Sequence, residues 1–198
     1  MKNRMIRRIG IFGGTFNPPH MGHLIVAERA SEALRLDKIY FVPSFISPHK
    51  QTGEEEFAKH RLVMVKLAVR SNKKFEASDL EVAAKGTSYT YKTVELFRDR
   101  FPKSELYFII GMDNFVEFST WKYPERIIKS ATIVVVNRPS EKPLRLRNRF
   151  IKSATFVSVP NIEISSSEIR KRVKAGRSTR YLVPAAVETY ILRKKLYR

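Results

Sequence analysis

The 198-residue chain has no cysteine, a single tryptophan and only half as many acidic as basic residues, 19 Asp and Glu against 38 Lys and Arg. The missing cysteine excludes disulfides, thiolate metal ligands and cysteine nucleophiles together. No run approaches the roughly 20 apolar residues that a membrane-spanning helix requires. The basic stretch 1–8 is followed by only a short apolar patch, too short for a signal-peptide core. A soluble, cytoplasmic protein with no membrane partner is therefore expected. Two common phosphate-binding fingerprints are also missing. The glycines at 10, 13 and 14 do not fit G-x-G-x-x-G, and G-x-x-x-x-G-K-[ST] occurs nowhere. No cluster of carboxylates suggests a protein cage for a metal ion, so no metal ligand is assigned.

What is present suffices for a folded domain. Hydrophobic residues make up 43% and aromatics 11%, enough to bury a core. The formal net charge is +19, and residues 138–198 alone hold 16 Lys and Arg against 4 Asp and Glu, a net +12. Such a surface concentrates any polyanion, whether RNA, anionic lipid or a nucleoside triphosphate. No RNA-recognition signature accompanies it, so nucleic acid is not expected as the main ligand.

Hydrophobic period and Gly/Pro punctuation predict strands over 6–12, 38–42, 75–80, 106–110, 131–136 and 155–159. They predict helices over 22–34, 58–70, 90–101, 124–129, 165–175 and 184–196. The alternation implies an α/β chain with a doubly wound parallel sheet and helices on both faces. A single domain over 1–198, with a C-terminal helical part over about 160–198, is the expected organisation. Segment 44–56 reads as a loop, and the Pro/Arg-rich stretch 138–149 is the candidate mobile surface loop. In such sheets ligands bind beyond the carboxyl ends of the strands, which points to the loops after Phe12, Val42, Ile110 and Val136.

The first of these loops is the most specific segment of the chain: Gly13-Gly14-Thr15-Phe16-Asn17-Pro18-Pro19-His20-Met21-Gly22-His23. Adjacent glycines let a ligand approach the backbone closely. His20 and His23 straddle a glycine where a helix begins, and a helix N-terminus attracts anions through its free amides and its dipole. The structural alternative is a Gly/Pro turn with incidental histidines. Near the other end, Ser165-Ser166-Ser167-Glu168-Ile169-Arg170 fits a capping box. The same hydroxyls and amides could hold phosphate, with Arg170 one turn further on.

The loop G-G-T-F-N-P-P-H-x-G-H resembles the signature of the nucleotidylyltransferase superfamily, specifically of the nicotinate mononucleotide adenylyltransferases. Ile164 to Arg170 resembles the I-S-S-T-x-I-R motif of that family, with Ser167 in place of threonine. Further matches lie between these ends. Pro43 with Pro48-His49-Lys50 resembles P-x-x-x-P-P-H-K, with Ser47 at the first proline of the pair. Ser88-Tyr89-Thr90 resembles the S-Y-T segment, and Gly111, Asp113 and Trp121 resemble G-x-D…W. Taken singly, Trp121 could be a core residue, Asp113 a helix cap, and Lys50 and Arg138 surface charges.

The resemblance implies a Rossmann-like fold and transfer of the adenylyl group of ATP to nicotinate mononucleotide. It implies His20, His23 and Arg170 as the groups acting on the phosphates. Gly13, Gly14, Thr15, Phe16, Gly111, Asp113, Ser166 and Ser167 join them in binding ATP. Asn17, Lys50, Ser88, Tyr89, Thr90, Trp121 and Arg138 are expected at the mononucleotide. Magnesium is the implied cofactor, held mainly by substrate phosphates. Nicotinamide mononucleotide is the nearest alternative substrate, a basic RNA-binding protein is the alternative from another class, and a homodimer is left open.

Overall fold

The computed structural model describes residues 8–48, 55–137 and 148–198. The strands are β1 (Arg8–Gly14), β2 (Lys38–Pro43), β3 (Phe75–Ala77), β4 (Glu105–Gly111), β5 (Thr132–Asn137) and β6 (Ala154–Ser158). They form one sheet in the order β3-β2-β1-β4-β5-β6, with every neighbouring pair parallel. The helices are α1 (Met21–Leu34), α2 (Glu55–Val69), α3 (Leu80–Ala84), α4 (Thr90–Arg100), α5 (Met112–Val116), α6 (Pro124–Ser130), α7 (Ser166–Lys174) and α8 (Ala185–Arg193).

Side chains alternate across a strand, and here both faces are apolar, as a sheet covered on both sides requires. Ile9, Ile11, Phe108, Ile110 and Ile133 pack on one side against Val94 and Phe97 of α4 and Ile127 of α6. Ile39, Phe41, Ile109 and Val134 pack on the other against Ala27 and Ala30 of α1 and Val65 and Val69 of α2. This is the doubly wound α/β arrangement that the alternation implied, and it is Rossmann-like as the resemblance implied. A third cluster joins Met64 and Ala68 of α2 to Ile169 of α7 and to Val187 and Ile191 of α8. The C-terminal helices are thereby seated on α2. No helix among the described residues is long and apolar enough to cross a membrane.

Several elements differ from the sequence-based expectation. Gly13 and Gly14 stay in β1, paired with Val42 and Pro43, because a parallel ladder recruits backbone whatever the side chain. β3 keeps only three residues. It has a single neighbour, and beyond it the Ser78 amide donates to the Phe41 carbonyl at 2.9 Å while Asp79 begins α3. Five-residue helices such as α3 and α5 are too short to show a helical period. Ser165 and Pro184 are N-caps rather than helical residues. Of the proposed loop 138–149, residues 138–147 lie outside the described residues. Asn148 is a buried anchor whose amide donates to the Phe115 carbonyl at 2.5 Å.

Gly10 shows how closely the sheet is packed. A β-carbon there would stand 2.9 Å from both Ile39 Cγ1 and Leu36 Cδ1, inside normal contact distance. Gly10→Val should therefore lower unfolding free energy by about 1–3 kcal/mol, the usual cost of overpacking. Urea unfolding checks this, and an unchanged midpoint would show that Leu36 and Ile39 yield freely.

Candidate active site

The chain leaves β1 at Gly14 and enters α1 with His20 as N-cap. The His20 backbone N–H donates to His23 Nδ1 at 3.1 Å. An accepting Nδ1 places the proton of a neutral His23 ring on Nε2. The two imidazoles stack with centroids 3.7 Å apart and planes inclined by 30°. A β-carbon at Gly22 would come within 3.0 Å of His20 Nδ1, so the glycine between the histidines is what lets the His20 ring fold back. Phe16, 2% exposed, packs edge-on against His23 at 5.0 Å and against Phe12 at 5.6 Å.

This packing fixes the charge state of the pair. Burial lowers His20 from 6.5 to about 4. It lowers His23 well below its ordinary value, and the neighbouring His20 adds to the effect. Both rings are thus neutral near pH 7 and offer N–H donors rather than cations. The full positive charge comes from Arg170 on α7, a helix capped by the Ser165 hydroxyl, which accepts from the Glu168 amide at 3.1 Å.

The two ends of the chain meet here. Ser166 Oγ donates to the Pro18 carbonyl and Arg170 Nη1 to the Asn17 carbonyl, each at 2.8 Å. Tyr197 donates to Asn17 Oδ1 at 2.6 Å, and the Met21 amide donates to the Leu182 carbonyl at 2.9 Å. Not every amide at the start of α1 is therefore free for a ligand. Arg170 Nη2 lies 3.4 Å from Ser167 Oγ.

Two cavities open at the carboxyl edge of the sheet. The larger, about 560 Å³, is lined by His20, His23, Arg170, Ser166, Ser167, Gly111 and Asp113, and by Gly13 to Asn17. The smaller, about 350 Å³, is lined by Ser88, Tyr89, Thr90 and Trp121, with Ser44, Ser47, Glu81 and Lys122. Gly13, Gly14, Thr15 and Asn114 line both and form the shared wall. Every residue expected at ATP borders the larger cavity. Trp121 is half-buried, 5.4 Å from Phe118 and 6.3 Å from Phe108 between ring centroids, and still lines the smaller cavity. Lys122 Nζ sits 4.5 Å above the Tyr89 ring, which brings a cation to that wall.

Other expected residues are placed differently or fall outside the described residues. Asn17, expected at the mononucleotide, lines the larger cavity, its side chain held by Tyr197 from the C-terminal end. Asp113 is not a cap: Gly111 is the N-cap of α5, and Asp113 lies within its first turn. Lys50, His49 and Arg138 lie outside the described residues. Sequence reasoning misses Asn114, Lys122 and Glu81. Asn114 and Lys122 each adjoin a residue that it does find. Glu81 sits just past a predicted strand end and gives no signal. Burial raises the Glu81 carboxyl, opposed by hydrogen bonds to Thr93 and Ser88 and by the Arg61 charge.

Residues 11–172 match the cytidylyltransferase-like family model. The "probable nicotinate-nucleotide adenylyltransferase" of Bacillus licheniformis is 40% identical over 195 residues, covering 97% of this chain and 99% of the relative. Its counterpart of the same name in Thermus thermophilus is 44% identical over 195 residues, covering 96% and 100%. In fold, the chain matches the Plasmodium falciparum nicotinic acid mononucleotide adenylyltransferase, solved in complex with NaAD, with a TM-score of 0.77 at 21% identity, covering 96% and 97%. On full-length identity, family match and fold together, the chain belongs to the cytidylyltransferase-like family and, within it, to the nicotinate-nucleotide adenylyltransferases.

Proposed function

We infer that the protein transfers the adenylyl group of ATP to nicotinate mononucleotide, forming nicotinate adenine dinucleotide and pyrophosphate in NAD biosynthesis. The observation that carries this reading is the pair of cavities divided by one backbone wall, Gly13 to Thr15 with Asn114. One has polyphosphate donors, the other an aromatic and polar lining. Two substrates seated there would meet across the wall. A phosphate oxygen of the mononucleotide forms a bond to the α-phosphorus of ATP, and the bond from that phosphorus to the bridging oxygen of pyrophosphate breaks. The nucleophile belongs to the substrate, so the protein's work is alignment and neutralisation of the developing charge.

In this reading His20 and His23 donate to the α- and β-phosphate oxygens. Arg170, Ser166 and Ser167 hold the outer phosphates, with Gly111 and Asp113 bordering the nucleotide. Trp121 and Tyr89 are the platform for the pyridine ring, with Ser88 and Thr90 beside it. Neutral histidines suit this role, because they donate without the cost of keeping a buried cation between turnovers. Magnesium, when bound, would neutralise phosphate charge. Asp113 is the only carboxylate lining the histidine cavity among the described residues, which fits an ion held mainly by phosphate and water. The reaction draws on ATP, and the cytoplasm is where we place it.

Pyrophosphate release with ATP and magnesium should favour nicotinate over nicotinamide mononucleotide by about tenfold or more, since an unpaired recognition group costs at least that. Equal rates would remove the specificity and leave the chemistry. His23→Ala should lower turnover by about a hundredfold or more, the scale of losing a transition-state donor. Near-normal turnover in that variant would dismiss the role.

A third expectation concerns pH. The folded state keeps His20 unprotonated down to about 4, whereas the unfolded chain binds that proton from 6.5 downward. Stability should thus be unaffected by this group above 6.5 and decline as pH falls from 6.5 to 4, by about 1.4 kcal/mol per pH unit at most. His20→Gln should flatten that part of the profile in urea midpoints measured across the range. Parallel profiles would show that the ring is not buried.

A further inference from the structure

Arg61 is the largest fully buried side chain, with 0% exposure. It lies on α2 and lines neither cavity. A guanidinium taken wholly out of water needs partners that repay its desolvation. Its partners here include three backbone carbonyls of the loops at the site, and its charge also acts on the Glu81 carboxyl. Nη1 donates to the carbonyls of Thr15, at 3.1 Å, and Ser44, and Nη2 donates to that of Phe45 at 2.8 Å.

Those loops carry a common electrostatic problem. A carbonyl oxygen facing a polyphosphate repels it, whereas an amide attracts it. Around the first loop the carbonyls are drawn off one after another. Gly14 accepts from the Ser44 amide, Thr15 from Arg61, Asn17 from Arg170 and Pro18 from Ser166. In a trans peptide the carbonyl and the following N–H point in opposite directions. Holding the Thr15 and Ser44 oxygens toward Arg61 therefore turns the Phe16 and Phe45 amides away from it. The Phe45 amide indeed meets Ser88 Oγ on the far side at 2.9 Å.

Resting on the adenylyltransferase reading, we propose that Arg61 is the positioning residue of the active site. Its planar fork joins the loop after β1 to the loop after β2 and sets their peptide planes, drawing the Thr15 and Ser44 oxygens away from the substrates and the Phe45 amide onto Ser88, a residue of the smaller cavity. It grips these loops by their backbone carbonyls and lines neither cavity itself. Arg is required rather than Lys, because only the fork serves three carbonyls at fixed angles.

The test compares Arg61→Lys with Arg98→Lys. Arg98 also binds carbonyls, Ser130 at 2.8 Å and Ser104 at 2.7 Å, but these lie in neither cavity. At a matched loss of Tm, Arg61→Lys should lower kcat by about 10- to 100-fold, the scale of misaligned substrates. KM for ATP should change little, and Arg98→Lys should keep its kcat. Equal kcat values in the two variants would overturn the proposal. The wild-type protein gives a second readout that does not depend on either variant folding. Without ligand, the Ser44 and Phe45 amides should exchange hydrogen as slowly as those of β1, and exchange at open-loop rates would also overturn it. Should the wild type release no pyrophosphate with either pyridine mononucleotide, the functional reading fails, while the exchange result still decides whether the two loops are held in order without substrate.

Discussion

The sheet reverses its strand order between β1 and β4, and the site follows from that constraint. From β1 the chain adds β2 and β3 on one side; it then returns to place β4, β5 and β6 on the other. The connections after β1 and β4 leave toward opposite faces, so their carboxyl ends stand side by side with a gap between them. Gly13 and Gly14 from β1 and Gly111 from β4 border this gap. Glycines keep its floor open, and Asn114, one turn into α5, divides it into two chambers.

Around the gap the described walls carry few charges. The histidines are neutral through burial, and the loop carbonyls are turned outward by donors behind them. The cations of the described walls are Arg170 and Lys122, at opposite chambers. On the proposed function, such a site distinguishes phosphate by directed donors rather than by net charge. The strongly basic surface is a separate property, since most of its charge in α7 and α8 lies on exposed residues such as Lys171, Lys174 and Arg193. It can steer anions toward the protein without entering the chemistry.

Much of this is legible in the residues, and the boundary has physical causes. Buried parallel strands such as β4 and β5 announce themselves as continuous apolar runs, and the Gly/His loop and serine-capped helix mark phosphate chemistry through local geometry. These signals lie within a few consecutive residues. Arg61 is invisible there because its meaning is wholly tertiary: in sequence it is one basic residue among 38, on a helix whose neighbours are ordinary core positions. The Asn17 side chain escapes the same reasoning, since Tyr197, 180 residues away, decides where it points. Short elements such as α3 and α5 lie below the length at which period can be read.

The stitching of the first loop by the last helices also has a consequence in time. The loop is complete only when contacts spanning 148, 153 and 180 residues have formed. A chain emerging from the ribosome can pair β1 with β2 and bury both early, yet its phosphate loop stays slack until α7 and the segment around Tyr197 have been made. Contacts of such separation form late and slowly. Strands can therefore pair before the phosphate loop is stitched, and the loop takes its shape only once α7 and the segment around Tyr197 have docked.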